Sequence, residues 1–575
     1  MTKKIQKSSC LVREYDGFEG IDRTKSSGGM TDIVNFRLMT DKALRKREAA
    51  VQLTSLNGKP RAHYTRDDQN MLVLSGQEVI LLNMSDLSQK RIGRVTSSGD
   101  AQFFCYDSKT ILIDGNELYV YRDESLSPLD GYAPLYGSDW HPTEKGRINQ
   151  QMNLLSRHYR ISYKISSDDP SLFLLDTMTD SVDAAYINGT KVSQNRFSVN
   201  DGGFSLSCSL PISAGSELTL YMTAHSYPYN HDALKGCTRA TTYGEGNGRG
   251  ADASSVAFYG GSDPTRVFCT RRIEKEDFAE AKKEYSSALS IYVTSSEIIT
   301  VGDGSSPVTA TCKRGGKLLL FTRDCTYVMN ETDESSSLMT LSLAGGCSAP
   351  NGATPMGDSP VTVSDAGILQ WTPVKYDSNE YVAKCISAPI GGLPSASFYS
   401  SAKVHSFRSK NELWFADPAS EDKRVYIYNF LLEAWYSFCG ISADSFFEIG
   451  SRAGFFSGRD VYLFDEEKRE DITSEGKAPI IGRAVTGRIT FGGFDFRKRL
   501  CRLALRSGAG NSFNVRITDA SGSPLTISLV DRSGEEIGYA DQRLSAQRSR
   551  YYSLTLENSS TDRVIIYGMT LTAVP

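Results

Sequence analysis

The sequence predicts an all-β protein: a β-propeller of six to eight blades, interrupted by an inserted β-sandwich and followed by a C-terminal sandwich or jelly-roll-like domain. Three observations predict it: a composition suited to short strands, a hairpin unit that recurs along the chain, and the spacing of that unit. The 575 residues are enough for about three to four domains. They include 29 Tyr, 25 Phe and 49 Gly, which favour short strands joined by tight turns.

The recurring unit is an apolar strand, a short polar turn, and a second apolar strand that often carries Tyr. It occurs seven times, at 71–84, 111–123, 256–270, 318–330, 361–373, 413–430 and 454–467. The turns are rich in Gly, Asp, Ser and Pro, which accept or preset the bends that a hairpin needs. These hairpins predict six to eight propeller blades, and the alternative is a set of unrelated hairpins in one large sandwich.

Spacing favours the propeller. Equivalent points in the seven units are Val73, Ile111, Phe258, Leu318, Val361, Leu413 and Phe455. The steps between them are 38, 147, 60, 43, 52 and 42 residues. Four of the six steps lie near the length of a four-stranded blade, about 40 to 50 residues.

The step of 147 residues holds about 100 residues more than a blade needs, which is too many for a loop in a compact domain. Its interior, 158–224, reads as short alternating strands with an Asn188-Gly189 turn. This pattern predicts a small sandwich inserted between two blades. The glycine-rich segment that follows, GEGNGRG at 244–250, lacks the Lys-Ser/Thr pair and the helix of a phosphate-binding loop, so it is interpreted as a linker.

Two further segments complete the domain prediction. Residues 272–289 are charged throughout and predict one helix, either solvated or at an interface. From about residue 480 the chain alternates in a new set of strands, which predicts a separate C-terminal sandwich. The predicted domains are therefore a propeller from 1–130 and 241–475, an inserted sandwich from 131–240, and a C-terminal sandwich from 476–575.

Several function classes find no support in the sequence. The net charge is −4, without the basic excess of proteins that grip DNA by its phosphates. The six His are scattered and no nucleophile, zinc or nucleotide motif occurs, so we predict no enzyme activity, no cofactor and no metal. A glycosidase-type carboxylate pair leaves no motif, and that alternative stays open.

The cysteines and the hydropathy bear on the compartment. The 11 Cys are an odd number without a C-x-x-C pair, which indicates buried thiols in a reduced compartment rather than zinc or disulfides. No apolar leader follows the basic N-terminus, and no stretch is long enough to span a membrane. We therefore expect a soluble protein made in the cytoplasm.

A series of short phrases carries a family resemblance. YDGFEGIDRT at 15–24 precedes DIVNFRLMTDKALRKREAAVQL at 32–53, and further phrases stand at 151–163, 258–270, 317–329, 345–371 and 491–500. In the second phrase the matching residues are Asn35, Phe36, Arg37, Leu44, Arg45, Lys46 and Arg47. The ordered series resembles the nozzle and tail-hub stabilisation proteins of short-tailed bacteriophages. Glu48 and Ala49 depart slightly from that pattern.

The resemblance implies a structural virion protein of the phage tail. It implies a homo-oligomeric ring, often a hexamer, below the portal and adaptor and in contact with tail fibres or spikes. DNA would pass through the lumen without sequence-specific binding, and the protein would assemble in the host cytoplasm without stable membrane insertion. Arg45, Lys46 and Arg47 would either contact a neighbouring copy or form a solvated basic turn.

Two other functions compete with this one. A receptor-binding or glycan-binding adsorption protein of the tail would use the inserted sandwich and exposed Tyr side chains. A secreted propeller enzyme is disfavoured, because the sequence shows neither a signal peptide nor a catalytic motif.

Overall fold

The computed structural model describes residues 10–26, 28–143, 151–166, 171–244, 254–331, 336–342, 345–357, 359–375, 380–493, 495–508, 511–531 and 537–575. Nearly all regular structure in these residues is β-strand. The short α-helices among them are α1 (His231–Lys235), α2 (Lys275–Ala281) and α3 (Phe398–Ser401). No helix in these ranges is both long and apolar enough to cross a membrane.

The chain begins with strands that precede the first complete sheet. They are β1 (Leu11–Tyr15), β2 (Met30–Val34), β3 (Phe36–Leu38), β4 (Leu44–Lys46) and β5 (Ala49–Ser55).

Two four-stranded antiparallel sheets follow. Sheet I consists of β6 (Pro60–Thr65), β7 (Asn70–Ser75), β8 (Glu78–Asn83) and β9 (Gln89–Arg94). Sheet II consists of β10 (Gln102–Tyr106), β11 (Lys109–Ile113), β12 (Leu118–Arg122) and β13 (Ser125–Pro128).

An inserted pair of sheets interrupts the series after sheet II. Its strands are β14 (Leu135–Trp140), β15 (His158–Lys164), β16 (Leu172–Leu174), β17 (Thr179–Ile187), β18 (Thr190–Val192), β19 (Phe197–Val199), β20 (Ser205–Cys208) and β21 (Glu217–Ala224). They form a five-stranded and a three-stranded sheet around a shared apolar core that includes Tyr163, Phe173 and Leu220. The predicted turn is confirmed, because β17 and β18 pair across it and both Asn188 and Gly189 have positive φ.

Four-stranded antiparallel sheets then resume. Sheet III is β22 (Arg239–Tyr243), β23 (Ser255–Tyr259), β24 (Arg266–Cys269) and β25 (Ile298–Thr300). Sheet IV is β26 (Ala310–Arg314), β27 (Lys317–Phe321), β28 (Thr326–Glu331) and β29 (Ser336–Ser342). Sheet V is β30 (Ala353–Met356), β31 (Ser359–Ser364), β32 (Gly367–Pro373) and β33 (Tyr381–Cys385).

Two more sheets complete the series. Sheet VI is β34 (Lys403–Phe407), β35 (Glu412–Ala416), β36 (Val425–Asn429) and β37 (Ala434–Phe438). Sheet VII is β38 (Ser445–Ile449), β39 (Arg452–Ser457), β40 (Asp460–Asp465) and the N-terminal β5.

The first strands of sheets I to VII contact one another in a closed cyclic order, with β38 returning to β6. The fold is a β-propeller. Each of the seven predicted hairpins is confirmed as the second and third strands of one of these sheets. The fourth strand of sheet VII comes from the other end of the chain, so β5 pairing with β40 closes the ring.

The last strands are β41 (Glu470–Thr473), β42 (Gly476–Pro479), β43 (Gly482–Thr486), β44 (Lys498–Gly508), β45 (Ser512–Asp519), β46 (Pro524–Val530), β47 (Ile537–Arg543), β48 (Arg548–Ser549), β49 (Tyr552–Asn558) and β50 (Ile565–Val574). The N-terminal strands join them: β1 and β4 pair with β50, and β2 pairs with β43. Residues 11–46, which we predicted as part of the propeller, therefore belong to these C-terminal sheets. Their partners lie more than 400 residues away, beyond the reach of a local pattern.

Two other sequence predictions concern the segments 272–289 and 244–250. The helix predicted over 272–289 is wrong beyond its first half, because α2 ends at Ala281. Tyr285, Ala288 and Leu289 are buried in the turns and irregular chain that follow it, so tertiary packing overrides helix propensity there. The predicted linker at 244–250 lies outside the described residues, except for Gly244.

Candidate functional site

The basic segment singled out in the sequence, 44–48, forms the edge of a buried cluster of charges. Leu44, Arg45 and Lys46 are strand β4, which pairs with β3 on one side and β50 on the other. Lys46 and Arg47 are buried. The solvated-turn interpretation is therefore wrong, because residues 44–46 are paired in a sheet and the side chains of Lys46 and Arg47 are buried.

Arg47 is held on every side. Its Nη1 and Nη2 donate to the two carboxylate oxygens of Asp471 at 2.8 and 2.5 Å, and its Nε donates to Asn35 Oδ1 at 2.9 Å. Only 1% of its side chain is exposed. This bidentate pair fixes the turn between β4 and β5 to strand β41.

A second buried arginine, Arg37 on β3, bridges two glutamates. Its Nη2 donates to Glu48 Oε2 at 3.0 Å, and its Nη1 donates to Glu412 Oε1. Glu412 begins β35 in sheet VI, where it also accepts hydrogen bonds from Trp414 Nε1 at 2.8 Å and from the Tyr436 hydroxyl. Both glutamates are almost fully buried.

Two further cations surround Glu48. Its Oε1 lies 3.6 Å from Arg45 Nη2 and 3.7 Å from Lys410 Nζ. We call the whole set the ionic junction, and its members are Arg37, Arg45, Arg47, Glu48, Lys410, Glu412 and Asp471.

The charges in the junction stabilise one another's ionised forms. Burial alone would raise the pKa of Glu48, but the charges of Arg37 and Lys410 lower it to about 2. Burial alone would lower the pKa of Arg37, but Glu412 and Glu48 raise it well above its ordinary value. Glu48 and Arg37 are therefore both charged at neutral pH.

The side chain of Lys46 points away from the ionic junction, towards the C-terminal strands. Its Nζ donates to Asn558 Oδ1 and to the Ser560 carbonyl, each at 2.7 Å. Burial lowers the pKa of Lys46 to about 8. Residues 44–48 thus reach Lys410 beside sheet VI through Glu48, and the C-terminal strands through Lys46.

The junction joins elements rather than holding a ligand. The cavity beside it has a volume of about 20 Å³, room for about one water molecule. Arg45, whose side chain is 18% exposed, lines that cavity. An inter-subunit contact through Arg45, Lys46 and Arg47 stays a prediction, and Arg45 is the member best placed for it.

A smaller joint of the same kind attaches the inserted sheets. Arg160 on β15 is fully buried, and its Nη2 lies 2.8 Å from Asp277 Oδ1 on α2. Its Nε donates to the Ala133 carbonyl at 3.0 Å, and the Tyr132 hydroxyl donates to Asp277. Helix α2 is thus an interface helix, one of the two roles predicted for it.

No other chemistry stands out in the part of the chain that the structure describes. It contains no group of three or more His, Cys, Asp or Glu side chains placed to hold a metal ion. The 11 cysteines all lie in described residues and form no disulfide, and four of them, Cys237, Cys269, Cys312 and Cys347, are buried.

Comparison with known proteins adds solved structures only. No family model and no curated protein matches the sequence. The designed protein Ika8 matches with 10% identity over 73% of this chain and 100% of its own, with a TM-score of 0.34. The Pan2 WD40 domain of Neurospora crassa matches with 8% identity over 74% and 96% and a TM-score of 0.32. BamB of Moraxella catarrhalis matches with 10% identity over 79% and 98% and a TM-score of 0.33. With scores this low, the sheets of the chain itself carry the fold assignment.

Proposed function

We propose that this protein is a structural subunit of a bacteriophage tail, a nozzle or hub protein that forms a ring around the channel through which DNA leaves. The proposal includes the architecture. Sheets I to VII are the seven blades of one propeller, β14 to β21 are an inserted sandwich, and β43 to β50 with β1 to β4 are a C-terminal sandwich.

The observation that carries the proposal is the way these units are joined. The ionic junction ties the N-terminal strands to sheet VI and to β41, and β2 pairs with both β37 and β43, so one nine-stranded sheet runs from the propeller into the C-terminal strands. Shared sheets and paired buried charges resist relative motion of domains, whereas domains that must move meet through small polar interfaces. A rigid multi-domain wall is what a ring under mechanical load requires.

The resemblance of the ordered phrases to nozzle proteins supplies the phage context. Several of its matching residues, Asn35, Arg37 and Arg47, take part in the contacts described above. The mildly acidic chain, with a net charge of −4, favours DNA passing through a lumen over DNA held by phosphate contacts.

Electron cryomicroscopy of virions tests the proposal directly. We expect a ring of copies, six in the resembled family, below the portal, with each copy fitting the propeller and both sandwiches. Purified protein examined by light scattering and negative-stain imaging complements it, with Arg45→Glu as a variant that should weaken ring contacts. A particle without ring density for this chain refutes the proposal.

A second candidate is a receptor-binding or glycan-binding adsorption protein. The observation that favours it is the exposed apolar side chains on and beside the inserted sheets: Phe204 is 50% exposed, Leu210 51% and Tyr229 96%. Host-cell binding by the purified protein that is lost in Phe204→Ser and Tyr229→Ser variants supports this role. DNA retention by virions that lack the protein would favour it over the ring.

A further inference from the structure

The centre of the propeller contains a cavity that has no role in the proposed ring. The cavity has a volume of about 830 Å³ and is lined from all seven sheets, largely by their first strands. This size lies within the range of binding pockets, roughly 300 to 1,000 Å³.

The mouth of this cavity carries an excess of positive charge. We define the channel mouth by the residues that begin or precede first strands and line the cavity: Lys59, Arg61, Asp100, Arg239, Lys403 and Asp444. Four of the six are cations and two are anions, so the channel mouth is net positive although the chain carries −4. A concave site of one sign focuses its field on ligands of the other sign.

Two of these cations, Arg61 and Lys403, have no ion-pair partner among the described residues, although the charges of Asp114 and Asp100 act on Arg61 at longer range. Arg61 Nε and Nη1 donate to the carbonyls of Gly99, Gly76 and Ser97 at 2.6 to 2.9 Å. Its Nη2 is buried without a hydrogen-bond partner, and no described carboxylate lies within ion-pair distance. Lys403 is exposed and has no ion pair among the described residues.

The other two cations, Lys59 and Arg239, each pair with a carboxylate of the channel mouth. Lys59 Nζ lies 2.8 Å from Asp444 Oδ1, an exposed pair. Arg239 Nη2 lies 3.2 Å from Asp100 Oδ2, whose side chain is 78% exposed. The Lys59 pair is exposed on both sides and exchanges partners at little cost. Arg239 is only 19% exposed and also donates to the Ala101 carbonyl at 2.8 Å, so only its exposed Asp100 partner is readily replaced.

The cavity wall below the mouth is uncharged and polar. The hydroxyls of Thr241 and Thr311 lie 2.6 Å apart, and the Tyr259 hydroxyl lies 3.1 Å from Thr311 Oγ1. Burial lowers the pKa of His63 to about 4 and that of His405 to about 3, so both rings are neutral at pH 7. Neutral donors and acceptors suit the amide groups of a peptide.

We propose that the channel mouth binds an acidic peptide segment of another protein, whose carboxylates pair with Arg61, Lys403 and Arg239. A single small anion would meet one or two of these cations, because they stand on three different sheets, whereas a segment with several carboxylates reaches all three. A nucleic acid strand fits less well, because Asp100 and Asp444 would oppose its regularly spaced phosphates. The inference does not depend on the ring.

Fluorescence anisotropy with a fluorescein-labelled peptide of alternating Glu and Ser residues tests it. We expect saturable binding that weakens as NaCl rises from about 50 to 300 mM. Lys403→Gln and Arg61→Gln should each weaken binding about tenfold, the loss of one charge-assisted bond. Lys403→Gln is the variant less apt to disturb folding, since the Lys403 side chain makes no hydrogen bond or ion pair in the described structure.

Matched controls separate this site from net charge. Arg502→Gln changes the total charge equally but lies on β44, paired with Asp541 in an exposed position, and should leave binding unchanged. A Lys-Ser peptide should not bind. The proposal is overturned if the Glu-Ser peptide fails to bind, if Lys403→Gln binds it as well as the unmodified protein, if inorganic phosphate at equal charge displaces it fully, or if single-stranded DNA binds the mouth more tightly.

Discussion

Replacing Glu48 by Gln tests whether the ionic junction holds the fold together through charge. Glu48 is 5% exposed, so its pKa reports a buried interaction. A pKa lowered from the ordinary 4.5 to about 2 corresponds to about 3 kcal/mol of stability at neutral pH. Gln retains the shape of the side chain but leaves Arg37, Arg45 and Lys410 facing one carboxylate fewer. We therefore expect Glu48→Gln to lower the free energy of unfolding by about 3 kcal/mol at pH 7.

The pH dependence gives the sharper test. The folded pKa of Glu48 is depressed, so its contribution is complete above pH 4.5 and is lost as the pH falls towards 2. Urea unfolding followed by the fluorescence of buried Trp414 and Trp435 measures it. The difference between the unmodified protein and Glu48→Gln should shrink over that window. Glu124→Gln removes an exposed partner of Lys90 and should leave the unfolding midpoint unchanged. A loss that is equal at pH 7 and pH 3 would mean that packing, not charge, makes the contribution, and a negligible loss at pH 7 would refute the reasoning altogether.

Three further predictions follow from other contacts. Gly454→Ala in sheet VII would place a Cβ 2.3 Å from the Phe447 ring and should cost about 1 to 3 kcal/mol in thermal or urea unfolding, whereas Gly493→Ala, with no atom within 4 Å, should cost little. Arg160→Met removes the buried ion pair that joins the inserted sheets to α2, so limited proteolysis should cut the inserted unit faster while the remaining fragments stay resistant. In NMR spectra of protein with 13C-labelled histidine, the His405 ring should remain neutral at pH 5, because burial lowers its pKa to about 3, and titration near the value of free histidine would contradict the channel geometry.

The local sequence pattern was sufficient to predict the hairpins. Strands β7 and β8, for example, are adjacent apolar runs joined by the two-residue turn Gly76-Gln77, so sequence neighbours are also spatial neighbours and the local pattern is enough to predict the pairing. The same holds for the turn at Asn188-Gly189. Strand β47 carries a weaker signal, because its sequence, IGYADQR, is mostly polar.

Long-range contacts could not be read from the sequence. Leu11 pairs with Ala573 and Arg37 meets Glu412, and nothing in either local segment specifies the other. The ionic junction did leave one signal. Arg37 and Glu412 each stand beside an apolar run, NFRL and ELWF, where a solvated charge is unexpected. Such charges indicate buried partners, although they do not indicate which ones.

The closure of sheet VII by β5 sets the order in which the protein can fold on the ribosome. Ala49 pairs with Asp465, so about 400 residues must be translated before β5 finds its partner, roughly 20 to 80 s at ordinary rates of synthesis. Strands β1 and β4 wait longer still, because their partner β50 lies downstream of β40 in the chain. During that interval the nascent chain displays unpaired strand edges, which are prone to aggregate. The ring therefore closes late in synthesis, and yield in a heterologous host should depend on chaperone supply and on slow growth at low temperature.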